Sequence, residues 1–403
     1  MTAATPKQGD TWRVLGVTLA IQAMVSMAVL TIPAIAPAFA ERLHVPVSLL
    51  GVFVVLVYSG AILASLISGQ LVRRFGAIRL SQAGLLFCAT GLLLTMAPSV
   101  WAVAPGAFLI GLGYGPITPA SSHLLAISTP AHRAGLVFSI KQTGVPVGGM
   151  LAGAIAPPLA LQAGPLAAVA VVLAACLICV LLGQPLHATH DTDRVPGTPM
   201  RIGGLLRPLR LVLAHAGLRR LATTSFVFSG VQLCLAAYLV TYLHTELAFD
   251  LISAGIALSM AQVGGVIGRI MWGYVADRFL GATRTLITLS LLMAGGSIAT
   301  GLLGEQASFV WVMALAAAFG AAATGWNGVY LAAVARLAPE GMAGTATGGA
   351  LSVTFFGVLL VPAAFGLVSD AAGSLGAGYV LLALPALLCA VVLLRALKLG
   401  GER

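Results

Sequence analysis

Two basic residues sit where the surrounding sequence offers oil rather than water: Lys141 in AGLVFSIKQTGVPVGG and Arg269 in AQVGGVIGRIMWGYVADRF. A Lys or Arg at the centre of a membrane helix costs about 2.5–3.5 kcal/mol on insertion scales, so such a residue marks a functional site by default. The chemistry open to a buried cation is recognition of negative charge. Arg offers a planar fork suited to a carboxylate, and Lys a mobile point charge. No Asp or Glu lies deep in an apolar stretch: Glu41, Glu246, Asp250, Glu305 and Asp370 fall in outer breaks, and Asp277 at a helix end. The two cations therefore read as a binding place for a small organic anion. The competing reading is that Lys141 snorkels outward along its stem and that Arg269 supports Asp277, roughly two turns away.

Uncharged polar residues inside the apolar stretches supply the rest of the candidate site. Gln22 and Gln232 occupy matching places in the two halves of the chain and are candidates for a paired hydrogen-bonding role with substrate. Asn327, in GWNGVY, is a candidate substrate contact, with a helix–helix hydrogen bond as the alternative. Tyr114 and Tyr330 are candidate lining residues, as are Tyr238 and Tyr242, although tyrosines also serve packing and interfaces. Histidine is the side chain that changes charge near neutral pH, which makes His123 the candidate proton relay, with a packed helix histidine as the alternative. Gln142 and Thr143 add donors beside Lys141. The five cysteines all fall in apolar stretches, and Cys176 and Cys179 lack the polar turn of a redox or metal motif. There is no nucleophile–base pair, no set of metal ligands at helical spacing and no G-x-x-x-x-G-K-[ST] loop. Neither enzyme activity nor a cofactor is expected.

The elements that must position these residues follow from composition. Hydrophobic residues make up 59% of 403 positions and charged residues 8%, with mean hydropathy +1.04. Soluble domains carry about 25% charge, so this composition belongs in lipid. The apolar runs predict twelve membrane helices, at 14–37, 48–71, 80–97, 101–127, 135–160, 165–184, 221–243, 252–276, 284–303, 308–335, 344–369 and 377–396. The one long polar break, with Pro196, Pro199 and Pro208, divides the chain into an N-terminal six-helix bundle (1–186), a linker loop (187–220) and a C-terminal six-helix bundle (221–403). The first apolar run is too long for a cleaved signal and is expected to stay as the first span. With the breaks numbered alternately from the inside, Arg42 alone of the basic residues outside the spans falls on the outer side; the others, from Lys7 to Arg403, fall inside. That asymmetry predicts both termini in the cytoplasm, as in a bacterial inner-membrane protein. It also accounts for the net charge of +10 without nucleic acid as a partner.

The halves repeat. Pro130-Ala-His-Arg-Ala-Gly135 aligns with Pro339-Glu-Gly-Met-Ala-Gly344, Gly69-x-Leu-x-Arg-Arg74-Phe75 with Gly273-x-Val-x-Asp277-Arg278-Phe279, and Gln22 with Gln232, all at nearly one offset. These landmarks argue for duplication of a six-helix unit, an architecture of transporters with a site between repeats. The GYVADRF loop resembles the signature of the major facilitator superfamily, and the resemblance covers essentially the whole chain. It implies an all-α membrane protein of twelve transmembrane helices in two pseudo-symmetric six-helix bundles that rock about a central site. It implies a secondary or facilitative transporter working by alternating access, complete as a monomer, with a small-molecule substrate and a coupling proton as a candidate partner. Helices one, four, seven and ten would line the cavity. Helices five and eight would face one another, bringing Lys141, roughly 9 Å past Gly135, and Arg269, roughly 12 Å before Asp277, to one cavity.

The signature loops carry the expected gating residues: Gly69 and Arg74 in the first copy, Gly273, Asp277 and Arg278 in the second, with Arg336 as an ion-pair partner. Gly273 permits close helix approach, and Asp277 is expected to accept bonds from the amino end of the eleventh helix, where the dipole is positive. In the first copy Arg73 stands where the family has Asp, so that latch is expected to be missing. Gly144-Val-Pro-Val-Gly148-Gly149-x-x-x-Gly153 loosely resembles the fifth helix of antiporters in the family, and equally reads as close helix packing. The runner-up function is therefore a drug or neutral-compound efflux antiporter. A non-transporting sensor or scaffold is a further alternative, for which the linker is too short to supply a soluble domain.

Overall fold

The computed structural model describes residues 8–45, 50–191, 194–197, 206–304 and 306–398. Lys7, Arg403, Pro199 and Glu305, all used in the sequence reading, lie outside the described residues. The described residues are helical with no strand. Eleven segments are long and apolar enough to cross a membrane. One of them, Ser253–Gly301, has 49 residues, which as straight helix would run about 73 Å against a hydrocarbon core of about 30 Å. It bends at Gly281, whose φ of 74° suits glycine, and so makes two spans, giving twelve among the described residues.

In order these are α1 (Gln8–Ala34), continued by the short α2 (Ala36–Arg42); α3 (Leu50–Phe75); α4 (Ala77–Thr95); and a fourth span split into α5 (Val100–Tyr114) and α6 (Ile117–Ser128). The fifth span is split into α7 (Ala134–Gln142) and α8 (Gly144–Ala163), and α9 (Pro165–His190) is the sixth. A short α10 (Arg207–Ala214) lies within the stretch read as a linker, and α11 (Ala216–Thr245) starts inside it. Then follow α12 (Leu251–Val275), a wider π turn at Ala276–Leu280, α13 (Gly281–Gly301), a tenth span split into α14 (Phe309–Gly325) and α15 (Asn327–Leu337), α16 (Ala343–Ala372) and α17 (Leu375–Lys398).

Two compact units emerge. The first comprises 1–130, 141–214 and 338–352; the second comprises 131–140, 215–337 and 353–403. Each unit takes in a segment from the other half of the sequence, the start of the fifth span in one case and of the eleventh in the other.

Glycine sets the closest helix contacts in both. In the first unit, a Cβ on Gly60 or Gly111 would overlap the Phe108 or Val57 carbonyl, so α3 and α5 touch backbone to backbone. In the second, a Cβ on Gly264 or Gly320 would overlap the Ala317 or Ala261 carbonyl, fixing α12 on α14 in the same way. The offsets that carry Gly69 onto Gly273 and Pro130 onto Pro339 also carry Gly60 onto Gly264 and Gly111 onto Gly320. Without a hydrophobic drive between helices in lipid, such small-residue contact is what holds them.

Carboxylates cap the helix starts. Asp191, only 3% exposed, accepts from the backbone N–H of Ile78 (2.8 Å) and Arg79 (3.0 Å). The preceding Gly76 has φ 92°, and a side chain there would collide with that carboxyl. Glu246 accepts from Leu375 N–H, from Gly376 N–H and from Ser374 Oγ. Each cap satisfies orphan donors and meets the positive end of the helix dipole.

Gly264→Val places three carbons where a carbonyl already sits. Overpacking costs about 1–3 kcal/mol, so the melting temperature of the detergent-purified protein should fall clearly, whereas Gly255→Val, with nothing within 4 Å, should leave it within a degree or two.

Candidate functional site

In the first unit the polar cluster forms on three segments. Lys141, at the end of α7, is 1% exposed. Its Nζ donates to Gln22 Oε1 at 2.7 Å, to Gln142 Oε1 at 3.0 Å and to Thr118 Oγ1 at 3.2 Å. Thr118 Oγ1 in turn donates to Gln22 Oε1 (3.0 Å), and Gln22 Nε2 donates to Ser26 Oγ (3.3 Å). Local sequence explains the meeting. The chain breaks at Gly115–Pro116 and restarts as α6, which brings Thr118 into its first turn. Gly144 and Gly148 bring α8 against α1: a Cβ on Gly144 would press on Gln22, and one on Gly148 would overlap the Ala23 carbonyl. These two glycines serve packing. Gly153 has nothing within 4 Å.

Lys141 is thus buried among oxygens and does not snorkel. Tyr114 ends α5, half-buried against the apolar core of this unit. His123 is buried on α6, with Gly344 packed beside its Cβ.

The second unit repeats part of this arrangement. Gln232 Oε1 accepts from Trp326 Nε1 (3.3 Å) and from Asn327 Nδ2 (3.4 Å). The offset that relates Pro130 to Pro339 carries Thr118 onto Asn327. Each glutamine therefore binds the tenth or fourth span of its own half at the point where that span breaks. Arg269 is 2% exposed, and its Nε donates to the Thr324 carbonyl at 3.1 Å, an oxygen that also accepts from Asn327 Nδ2 at 3.4 Å. Trp326, 1% exposed, packs edge-on against Phe228 and tilted against Tyr330. Tyr330 is buried with its hydroxyl 3.5 Å from Thr354 Oγ1. Tyr238 and Tyr242 donate to the carbonyls of Pro362 (3.1 Å) and Leu303 (3.5 Å), packing roles.

Asp277 corrects one expectation. Its carboxylate accepts from the N–H groups of Gly135 (2.9 Å) and Leu136 (2.7 Å), at the start of the fifth span rather than the eleventh. The physical reason is the run of small residues on α7. Gly135 meets Gly273, and Ser139 fits against both Gly273 and Gly328, so this helix end comes close enough to be capped. Arg336 and His132 add attraction for the carboxylate. Arg336 and Arg278 are exposed. In the first copy, Gly69 lies against Thr345 at the start of α16, and Arg74 stacks on Phe75 at 5.2 Å. The second-copy loop thus holds the fifth span and the first-copy loop meets the eleventh, which is how each unit comes to include a segment from the other half.

Sequence reasoning missed Thr118, Trp326 and the cap made by Asp191. The signal for the first two was the helix break at GYGPITP and GWNG. Asp191 in its polar stretch resembled any solvated acid.

Comparison with known proteins agrees with this architecture. A family model described as Major Facilitator Superfamily matches residues 17–362. The gentisate transporter of Corynebacterium glutamicum is 24% identical over 329 residues, covering 76% of this chain and 70% of that protein. The benzoate transport protein of Acinetobacter baylyi is 34% identical over 120 residues, covering 30% of this chain and only 25% of that protein's length. Among solved structures, a bacterial homologue of the iron transporter ferroportin in the outward-facing state superposes with TM-score 0.77 at 15% identity, covering 96% of this chain and 98% of that one.

Removing the cap on α7 should be measurable directly. Loss of a helix-capping side chain costs about 0.5–2 kcal/mol, so Asp277→Ala should lower the melting temperature. It should also speed amide exchange across 134–142 by about two- to thirtyfold, which hydrogen–deuterium exchange mass spectrometry reads.

Proposed function

Because the chain belongs to the Major Facilitator Superfamily, and is therefore a multi-pass membrane transporter rather than an enzyme, we propose that its substrate is a small organic anion, monocarboxylate-like, carried by alternating access. The observation that carries this reading is the buried Lys141 ammonium, held by neutral oxygens of Gln22, Thr118 and Gln142. A cation buried in a membrane span is suited to recognise an anion. Arg269 supplies a second buried cation in the other unit. Benzoate and gentisate, after which two similar proteins are named, are both carboxylates.

On this reading Gln22, Gln232, Asn327, Tyr114 and Tyr330 line the path of the substrate. Gly69, Arg74, Gly273, Asp277, Arg278 and Arg336 belong to the moving ends. The segments 1–186 and 221–403 act as the two bundles, joined through 187–220. The protein acts as a monomer in a bacterial inner membrane with both termini cytoplasmic. A coupled proton, where one is carried, travels on the substrate's carboxylate or through His123. Export of neutral compounds gains no support from the fifth-span glycines, since Gly144 and Gly148 are used for packing on α1.

The test is uptake of radiolabelled benzoate, with other monocarboxylates as further probes, into proteoliposomes holding the full chain. A charge-assisted hydrogen bond is worth about 1.5–3 kcal/mol. Lys141→Gln and Arg269→Gln should therefore each weaken half-saturation by about ten- to a hundredfold. Saturation unchanged in both variants would overturn the anion reading.

A further inference from the structure

Resting on that reading, we propose that the Gln22–Thr118 pair is a releasable dock for Lys141, so that substrate binds by exchange: the anion takes a place on the ammonium that a tethered neutral oxygen holds beforehand. An ammonium has three hydrogens. At Lys141 three oxygens stand within 2.7–3.2 Å of Nζ, so a carboxylate must displace at least one of them.

The geometry shows which gives way. Gln142 is the next residue on the same segment, whereas Gln22 and Thr118 reach the ammonium from α1 and α6. They are also satisfied without the lysine: Thr118 Oγ1 donates to Gln22 Oε1 at 3.0 Å, and Gln22 Nε2 is engaged by Ser26 Oγ at 3.3 Å. When Lys141 leaves, no amide oxygen is stranded in a buried site, where an unmet polar group is costly. The Thr118 hydroxyl is therefore a positioning group. It acts through Gln22, keeping that acceptor satisfied in the bound state, and it lowers the cost of release.

The experiment uses the full-length purified protein, with benzoate as the anionic probe and benzamide as the neutral control, by calorimetric binding and thermal shift. Gln22→Leu removes the competitor, and benzoate should bind about tenfold more tightly. Gln22→Glu installs a tethered carboxylate at the same place, and benzoate affinity should fall at least tenfold while the protein melts no lower. Thr118→Val removes the fall-back donor together with the most distant of the three oxygens on Nζ; the loss of the fall-back outweighs that of the longest bond, so benzoate binding should weaken several-fold, with Thr118→Ser restoring it, and a merely structural role would move the melting temperature in both without this rescue of affinity. Tighter binding in Gln22→Leu and loss in Gln22→Glu support exchange. Benzoate affinity weakened in Gln22→Leu as much as in Lys141→Gln, or retained in Gln22→Glu, overturns the dock and leaves the anion site standing. Affinity retained in Lys141→Gln removes the anion site itself. Should Gln22→Leu fail to fold, the Thr118 pair of variants decides alone: no rescue by serine rejects the dock.

Discussion

One constraint governs the rest of this molecule: a polar group carried into hydrocarbon has to bring its partner with it. Lys141 is the severest case. Its ammonium needs oxygens, and the apolar sequence around it supplies few, so helices must be brought together and broken at chosen places. Gly144 and Gly148 let α8 approach α1 until Gln22 is in reach. The break at Gly115–Pro116 starts α6 at Thr118's turn. The fifth span itself breaks at Thr143, directly after the lysine and its neighbouring amide. Small residues and helix interruptions, which look like weaknesses in a membrane protein, are here what allows a charge to be housed.

Duplication kept the frame of this arrangement and changed its occupant. Gln22 and Gln232, Thr118 and Asn327, Gly60 and Gly264, and Gly111 and Gly320 are matched by position and by role. The cations are not. The offset that relates the fifth and eleventh spans puts Ala350 where Lys141 would recur, and the one that relates the second and eighth puts Ser65 opposite Arg269. Close packing and the glutamine bond to the broken span are therefore common to both halves, and each charge belongs to one half alone.

What could be read from the sequence was whatever declares itself by cost. Twelve apolar runs, two cations in oil and a pair of matched glutamines are conspicuous because each is expensive out of place; the runs form the spans, both cations and Gln22 are buried, and Gln232 is half-buried. Thr118 was illegible because threonine is at home in a membrane helix, bonding its own backbone. The role of Thr324 was illegible because its acceptor is a backbone carbonyl, present at every residue. The partner of Asp277 was misplaced by symmetry. The sequence marks both Gly135 and Gly344 as helix starts, and only the fit of Ser139 between Gly273 and Gly328 selects the former. Asp191 had the same difficulty in reverse, since an acid in a polar stretch gives no sign that it is 3% exposed.

The two cations differ in the kind of acceptor that meets them. Arg269 donates to a main-chain carbonyl, fixed by the helix that ends at Gly325 and shared with Asn327. Such an acceptor cannot turn away without remaking the break in the tenth span. Lys141 donates to side-chain oxygens, each at the end of rotatable bonds, and its own ammonium rides on a flexible four-carbon stem. Its bonds can be given up one at a time. A planar guanidinium on a backbone post is suited to orient a charged group, and an ammonium on movable side chains is suited to follow one. On the proposed function, a carrier that binds on one side and lets go on the other uses the second property, and the fifth span would supply it through Lys141.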